Sequence, residues 1–387
     1  MAEWTQSSSE VLAMLQEVVH IDSVNPALPG GRDGERGMAD YIERFFTELD
    51  ITCKRQEVVD GRQNILATLE GRDPSRVLLF ECHMDTASAE IMSIPPFEPH
   101  IRNGLLYGRG SCDTKAGGVA MMLAMKQLKE TGIKPPLSVM YAGAVDEEYL
   151  MRGSQTLAAT FKPDAMVVAE PTDLEVVCAH KGVVRFHLAV QGKAAHSSKP
   201  YLGVNAIAKM ARLLSEIENA LGASYQNRSH LLIGHPTFSV GTIEGGTQVN
   251  FVPDYCRVAV DCRTLPGDTS ASTQTEFQDV IDAVSAADPE LTANIDPPFF
   301  VCDPVGTAQE ATIVQTALKA CRTALGTGTT GGVPFATDGS AFAAHNIPTI
   351  ILGPGSIDQA HAAVEWVECR QVEAAVGVYR NIMERGI

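Results

Sequence analysis

Four short apolar runs, each leading into an acid or a histidine, constrain this chain more than any other feature. They are VLLFEC before His83, SVMYAGAVD before Glu147 and Glu148, AMVVA before Glu170, and TIILGPG ahead of His361. Runs of this length without polar alternation read as strands buried on both faces. The pattern predicts strands at 64–69, 77–82, 138–144, 165–169 and 349–352. Helical periodicity lies between and around them, at 8–20 with Ser8 or Ser9 as cap, 34–49, 116–129 and 309–325. Buried strands alternating with helices predict an α/β layer whose mostly parallel sheet is flanked by helices.

The middle of the chain has a different grammar. Residues 183–191 alternate as VVRFHLAVQ, the mark of a strand with one buried face. A helix at 205–221, strands at 237–244 and 256–263, a helix at 273–286 and a strand near 291–295 complete a β-α-β-β-α-β order. That order predicts a small α+β (ferredoxin-like) domain with a four-stranded sheet. The chain has 387 residues, more than one core usually supports. The expectation is therefore two domains: 1–182 with 296–387, and 183–295 inserted between them.

In an open α/β sheet, ligands gather outside the carboxyl ends of the parallel strands. His83, Glu147, Glu148, Glu170 and His361 all follow such strands. Asp113, in GRGSCDTKAGG, stands just before a helix. They can converge despite their separation in sequence. Two imidazoles with several carboxylates suit a divalent metal, zinc being the usual occupant. The carboxylates suffice for two ions, with Asp113 the best candidate to bridge them. Such pairs lie ~3.5–4 Å apart and activate a shared water. Asp85 shares a face with His83 on an extended segment and is expected to hold its far ring nitrogen. Of adjacent Glu147 and Glu148, one can bind metal while the other takes the proton of the bridging water. Each feature has a plain alternative: a capped histidine, a solvated acid pair, an N-cap aspartate. Their joint occurrence at the strand ends favours the metal site.

Composition excludes other classes. A formal net charge of −17 argues against nucleic acid and anionic membranes as partners. No apolar run reaches the ~18 residues of a membrane span. The nine cysteines form no C-x-x-C pair and are odd in number, so neither a disulfide framework nor a cysteine zinc site is expected. Free thiols and the absence of a signal-peptide pattern place the expected location in the cytoplasm. Cys82 and Cys112 neighbour the candidate ligands, but Cys82 faces away from His83, and core packing is the expectation for both.

The motifs HMDTA, GRGSCDTKAGG, AVDEEY, VAEPTD and GPGSIDQAHAAVEWV stand in the order and spacing of a known family. The chain resembles, over essentially its whole length, the dinuclear zinc amidohydrolases. These include acetylornithine deacetylase, succinyl-diaminopimelate desuccinylase, aminoacylase and glutamate carboxypeptidase. The resemblance implies a zinc-exopeptidase-like fold and two divalent ions, zinc with cobalt or manganese as alternatives. His83 and Glu170 would hold one ion, Glu148 and His361 the other, with Asp113 between. Glu147 would be the general base and Asp85 would orient His83. The inserted domain, with GKAAHSSKP, GGTQVN and DCRTLPG, matches the family's lid and dimerisation domain. There His196 and Asn250 would polarise the scissile carbonyl, reaching into the partner subunit of a homodimer. Arg263 would clamp a substrate carboxylate, and Gly245 and Gly246 would serve a turn.

The tail segment is most similar to acetylornithine deacetylases, which implies an N-acyl amino acid as substrate. A dipeptidase, a glutamate carboxypeptidase-type exopeptidase and a succinyl-diaminopimelate desuccinylase share the same metal chemistry. A catalytically silent homologue is disfavoured by the intact Glu147 and ligand set.

Overall fold

The computed structural model describes residues 6–59 and 61–387. The chain forms two compact units. One comprises Met1–Cys178, Gly306–Gly331 and Thr337–Ile387; the other comprises Ala179–Val305 and Gly332–Ala336.

The first unit is built on a large sheet with a parallel centre. Its strands run in the order Thr52–Val59, Arg62–Leu69, Leu137–Ala144, Asp73–His83, Ala165–Val168, Thr349–Ile351 and Val176–His180. Leu137–Ala144, Asp73–His83, Ala165–Val168 and Thr349–Ile351 are mutually parallel, with antiparallel neighbours on both sides. Leu78, Leu79, Phe80, Val139, Tyr141, Met166, Val167, Ile350 and Ile351 are all buried, as strands covered on both faces must be. The first helix spans Gln6–His20, so Ser8 and Ser9 lie inside it rather than capping it. Helices Arg152–Thr160 and Cys369–Arg385 were not among those expected. The latter buries Val372, Ala375, Val376, Tyr379, Ile382 and Met383, an i, i+3, i+4 stripe present in the sequence. Among the described residues, no helix is long and apolar enough to cross a membrane.

Helix Lys115–Thr131 is buried along most of its length. Its Gly117 lets it approach the Ala165–Val168 strand end: an added Cβ would meet Ala169 Cβ at 2.6 Å and Ala169 O at 2.9 Å. Alanine normally favours a helix over glycine by about 1 kcal/mol. Here a backbone oxygen blocks the methyl group, and overpacking of a tight interior costs about 1–3 kcal/mol. Gly117→Ala is therefore expected to destabilise, seen as a lower urea midpoint with unchanged slope. A raised midpoint would contradict the close packing.

The second unit is an antiparallel sheet under two helices. Thr237–Gly245, Tyr255–Thr264, Gly182–Gln191 and Thr292–Ile295 pair in that order. Helices Ala206–Gln226 and Ser270–Ala287 supply the crossovers of a split β-α-β fold. Strict alternation puts Val184, Phe186, Leu188 and Val190 in one core with Cys256, Val258, Val260 and Cys262. Phe186 and Phe277 meet edge to face at 5.1 Å. Asn205 caps the first helix by accepting from Ala208 N at 3.0 Å, and a Thr269–Ser272 capping box opens the second. A further strand, Phe300–Cys302, pairs with Gly182–Gln191 beyond the four expected. This pairing carries the unit past residue 295.

Candidate metal centre

Register brings the chemistry-bearing residues together. His83 lies opposite Ala144, Glu81 opposite Val168, and Val168 opposite Ile351. The carboxyl ends of the four parallel strands are therefore level. His83 ends its strand, Glu147 and Glu148 follow Ala144, Glu170 follows Val168, and His361 hangs in the loop after Ile351. Asp113 arrives from a different direction, ahead of helix Lys115–Thr131. The N-cap of that helix is Thr114, which leaves Asp113 free of a capping role.

The Asp113 carboxylate is shared between two groups. Its Oδ1 is 3.0 Å from His83 Nε2, and Glu170 Oε1 is 3.7 Å from the same nitrogen. Its Oδ2 is 3.4 Å from His361 Nε2, which lies 2.8 Å from Glu148 Oε2. Within each of the sets His83–Asp113–Glu170 and Asp113–Glu148–His361, one ligand atom per residue lies within 4.8 Å of the others. Neither set includes Glu147 or a cysteine. Cys82 instead directs its thiol to the carbonyls of His83 and Thr114. His83 is buried while the His361 side chain is 58% exposed, so one position is enclosed and the other open.

The electrostatics fit a pair of cations. Burial pushes the Glu170 carboxyl up to about 8, with repulsion from Asp113 adding to it. Glu147 is pushed well above the carboxylate range by burial and by Glu170, against the pull of His83. Burial also acts on Asp113, but hydrogen bonds with His361 and His83 outweigh it and hold that carboxyl below its usual range. Glu148 Oε1 is buried with no hydrogen-bond partner. Clustered acids with an orphaned oxygen form a donor set that divalent ions would satisfy.

Asp85 plays a different part from the one expected. His83 Nδ1 bonds the backbone oxygen of Asp85 at 2.9 Å, whereas the Asp85 carboxylate is 3.7 Å away. That carboxylate instead accepts from the backbone N–H groups of Glu147 and Glu148, at 3.2 and 3.1 Å, and from Asn25 Nδ2 at 2.7 Å. The extended geometry does put both side chains on one face, but the chain turns at Asp85 and offers its carbonyl first. Asp146, with φ +73°, is clamped by Arg62, Arg152 and Asn25, and its N–H donates to Glu35. A non-glycine residue at such φ is held only by surroundings that over-determine it.

Two further supports were not assigned from sequence. Glu365, in the segment HAAVEWV, is buried. It accepts from Arg109 Nη1 at 2.7 Å and from the N–H groups of Gly110, Cys112 and Asp113. It thereby ties the Asp113 loop to the His361 segment. Glu81 and Asp338 lie buried near His83, with Ser154 donating to Asp338. Burial pushes Asp338 up to about 6 and Glu81 well above its range. An acid inside the run VLLFEC was the available signal for Glu81.

In the second unit, His196 and Asn250 are neighbours. Ala195–His196 pairs with Phe251–Val252, and Ser197 N donates to Asn250 O at 3.0 Å. His196 is exposed, its Nδ1 2.8 Å from Ser198 Oγ. Arg263 uses Nε on Asp261 at 2.8 Å. Its terminal nitrogens make no hydrogen bond among the described residues. Gly246 has φ +73°, as its turn requires.

Fold and site together define a metal-dependent hydrolase. A profile of Peptidase family M20/M25/M40 matches residues 79–385, and the chain belongs to that family. It is 32% identical to an acetylornithine deacetylase of Photorhabdus laumondii, over 86% of this chain and 84% of the relative. Its fold is similar to the crystal structure of aminopeptidase PepT from Bacillus cereus (TM-score 0.80, 20% identity, 97% and 98% of the two chains covered). It is also similar to Bacillus subtilis YXEP, described as a dinuclear metal-binding peptidase (TM-score 0.73, 15% identity, 97% of each chain covered).

Proposed function

We propose that the chain hydrolyses the amide bond of an N-acyl amino acid, as an acetylornithine deacetylase-like deacylase. The observation that carries this reading is the Asp113 carboxylate divided between His83 and His361. The relatedness to an acetylornithine deacetylase supports the substrate class. His83, Glu170 and Asp113 would hold one ion, and Asp113, Glu148 and His361 the other. Zinc suits this donor set, with cobalt or manganese as substitutes. When bound, such a pair would supply Lewis acidity and lower the pKa of the attacking water.

The residues of the chain do the rest. Glu147 takes a proton from the attacking water as its oxygen bonds the carbonyl carbon. It returns that proton to the nitrogen as the C–N bond breaks, and the second water proton also passes to the amine, so a carboxylate and an ammonium group leave. Asp85 holds the Glu147–Glu148 backbone and sets the direction of the base. Arg263 offers unused N–H groups to the substrate carboxylate, a task for a planar fork. His196 and Asn250 stabilise the oxyanion on substrate held by the partner protomer of a homodimer.

The dimer reading draws support from strand Thr237–Gly245, which lies at a sheet edge. Exposed Ile243, Val249, Phe251 and Tyr201 belong to the same unit. Nine free thiols fit a reducing cytoplasm.

Two experiments test this. The metal-loaded protein should show its highest kcat/KM on an N-acyl amino acid in a screen of N-acetyl, N-succinyl and N-formyl amino acids and dipeptides. A preference for dipeptides would replace deacylation with peptidase activity. His196→Ala should lower kcat by ~10²–10³-fold, the usual loss for an oxyanion donor, without changing metal content. Mixing it with Glu147→Gln should restore partial activity, because one site of the mixed dimer regains both groups. No recovery after confirmed subunit exchange would rule out action across the dimer.

A further inference from the structure

A cavity of about 610 Å³ is lined by five arginines, Arg32, Arg36, Arg55, Arg62 and Arg152, and by three acids, Asp33, Glu35 and Asp40. None of the metal-site residues lines it. Three of these arginines are fixed by ion pairs. Arg55 binds Asp40 and Glu43, both at 2.6 Å. Arg62 binds Glu35, and Asp146 at 3.0 Å. Arg152 binds Asp146 at 2.5 Å. These pairs make rigid walls. Arg32 and Arg36 differ, making no ion pair or hydrogen bond among the described residues. Asp33 on the lining is paired with neither.

We propose that this cavity is a second ligand site, which takes a small dianion on Arg32 and Arg36. Each free guanidinium presents five N–H donors in a planar fork that matches a carboxylate or phosphate edge. The charge of the three paired arginines is offset by Glu35, Asp40, Glu43 and Asp146, so the open positive charge at the cavity is that of Arg32 and Arg36. The volume falls within the ~300–1,000 Å³ of small-molecule sites. The ligand chemistry is that of a doubly charged oxyanion, either a phosphate group or a dicarboxylate. Its bed is continuous with the clamp that holds the Glu147 loop, since Arg62 and Arg152 serve both.

Calorimetric titration of the metal-loaded full chain at low ionic strength tests the site, with inorganic phosphate in one arm and succinate in the other. One saturable event per chain is expected for at least one anion, and the arm that binds identifies the source. In Arg32→Ala/Arg36→Ala its Kd should rise roughly tenfold or more, the worth of one charge-assisted hydrogen bond. Both side chains are exposed, so the fold should survive, which circular dichroism and metal content would verify. Absence of saturable binding by either anion overturns the proposal. Binding that the double substitution leaves unchanged, or that chelation of the metal abolishes, also overturns it and places the anion elsewhere.

Discussion

Asp113→Ala is expected to cost the protein both its divalent ions and its turnover. Every other candidate ligand serves one set, whereas Asp113 offers Oδ1 toward His83 and Oδ2 toward His361. Removing it leaves each ion with two protein ligands, one imidazole and one glutamate. It also leaves Glu170 and Glu148 in a buried, acid-rich space without their shared neighbour. Metal analysis after equilibrium dialysis should fall from up to two ions per chain to below one. Activity should fall to that of chelator-treated protein. Asp113→Asn keeps the shape and one carbonyl oxygen, so it should retain no more than one ion. Two tightly bound ions and near-normal kcat in the alanine variant would remove Asp113 from the centre.

Glu147→Gln should separate catalysis from metal binding. Residue types alone leave open which member of the Glu147–Glu148 pair binds and which takes a proton. Glu148 Oε2 is 2.8 Å from His361 Nε2 and belongs to a ligand set, whereas Glu147 belongs to neither. Its N–H is anchored on Asp85 and its carboxyl is pushed up by burial. Glutamine preserves the volume but cannot accept a proton. Proton-transfer catalysis is worth ~10²–10⁴-fold, so kcat should fall by that range while metal content stays at the wild-type value. Glu148→Gln should show the opposite balance, losing metal first. A Glu147→Gln enzyme with normal kcat would move the base elsewhere; one that loses metal would make Glu147 a ligand.

Much of the fold was legible because burial leaves a direct mark on sequence. Leu78–Phe80 and Ala165–Ala169 are apolar without alternation because both faces of their strands are covered. Val183–Gln191 alternates because only one face is. Several of the elements not expected from sequence are short or mixed in burial. Thr52–Val59 has no fully buried residue, so it carries no hydrophobic period. Phe300–Cys302 is too short to show one. Helix Cys369–Arg385 does carry its stripe in the sequence, at Val372, Ala375, Val376, Tyr379, Ile382 and Met383.

The candidate ligands belong to the sequence for a related reason. Few side chains can hold a divalent ion, and a parallel sheet collects whatever follows its strands at one edge. Residue type and strand order together point to His83, Glu170, His361 and the Glu147–Glu148 pair, residue type and the nearby helix start add Asp113, and the choice of Glu148 over Glu147 as ligand comes from the family resemblance. What each supporting group touches was settled only by tertiary structure. Asp85 accepts from Asn25, Glu147 and Glu148, about 60 positions away on either side. Glu365 holds the Asp113 backbone across 252 positions, and Asp338 meets Ser154 across 184. A hydrogen bond depends on tenths of an ångström in the approach of two segments. That approach is set by the packing of the whole unit, and no local pattern of residues records it.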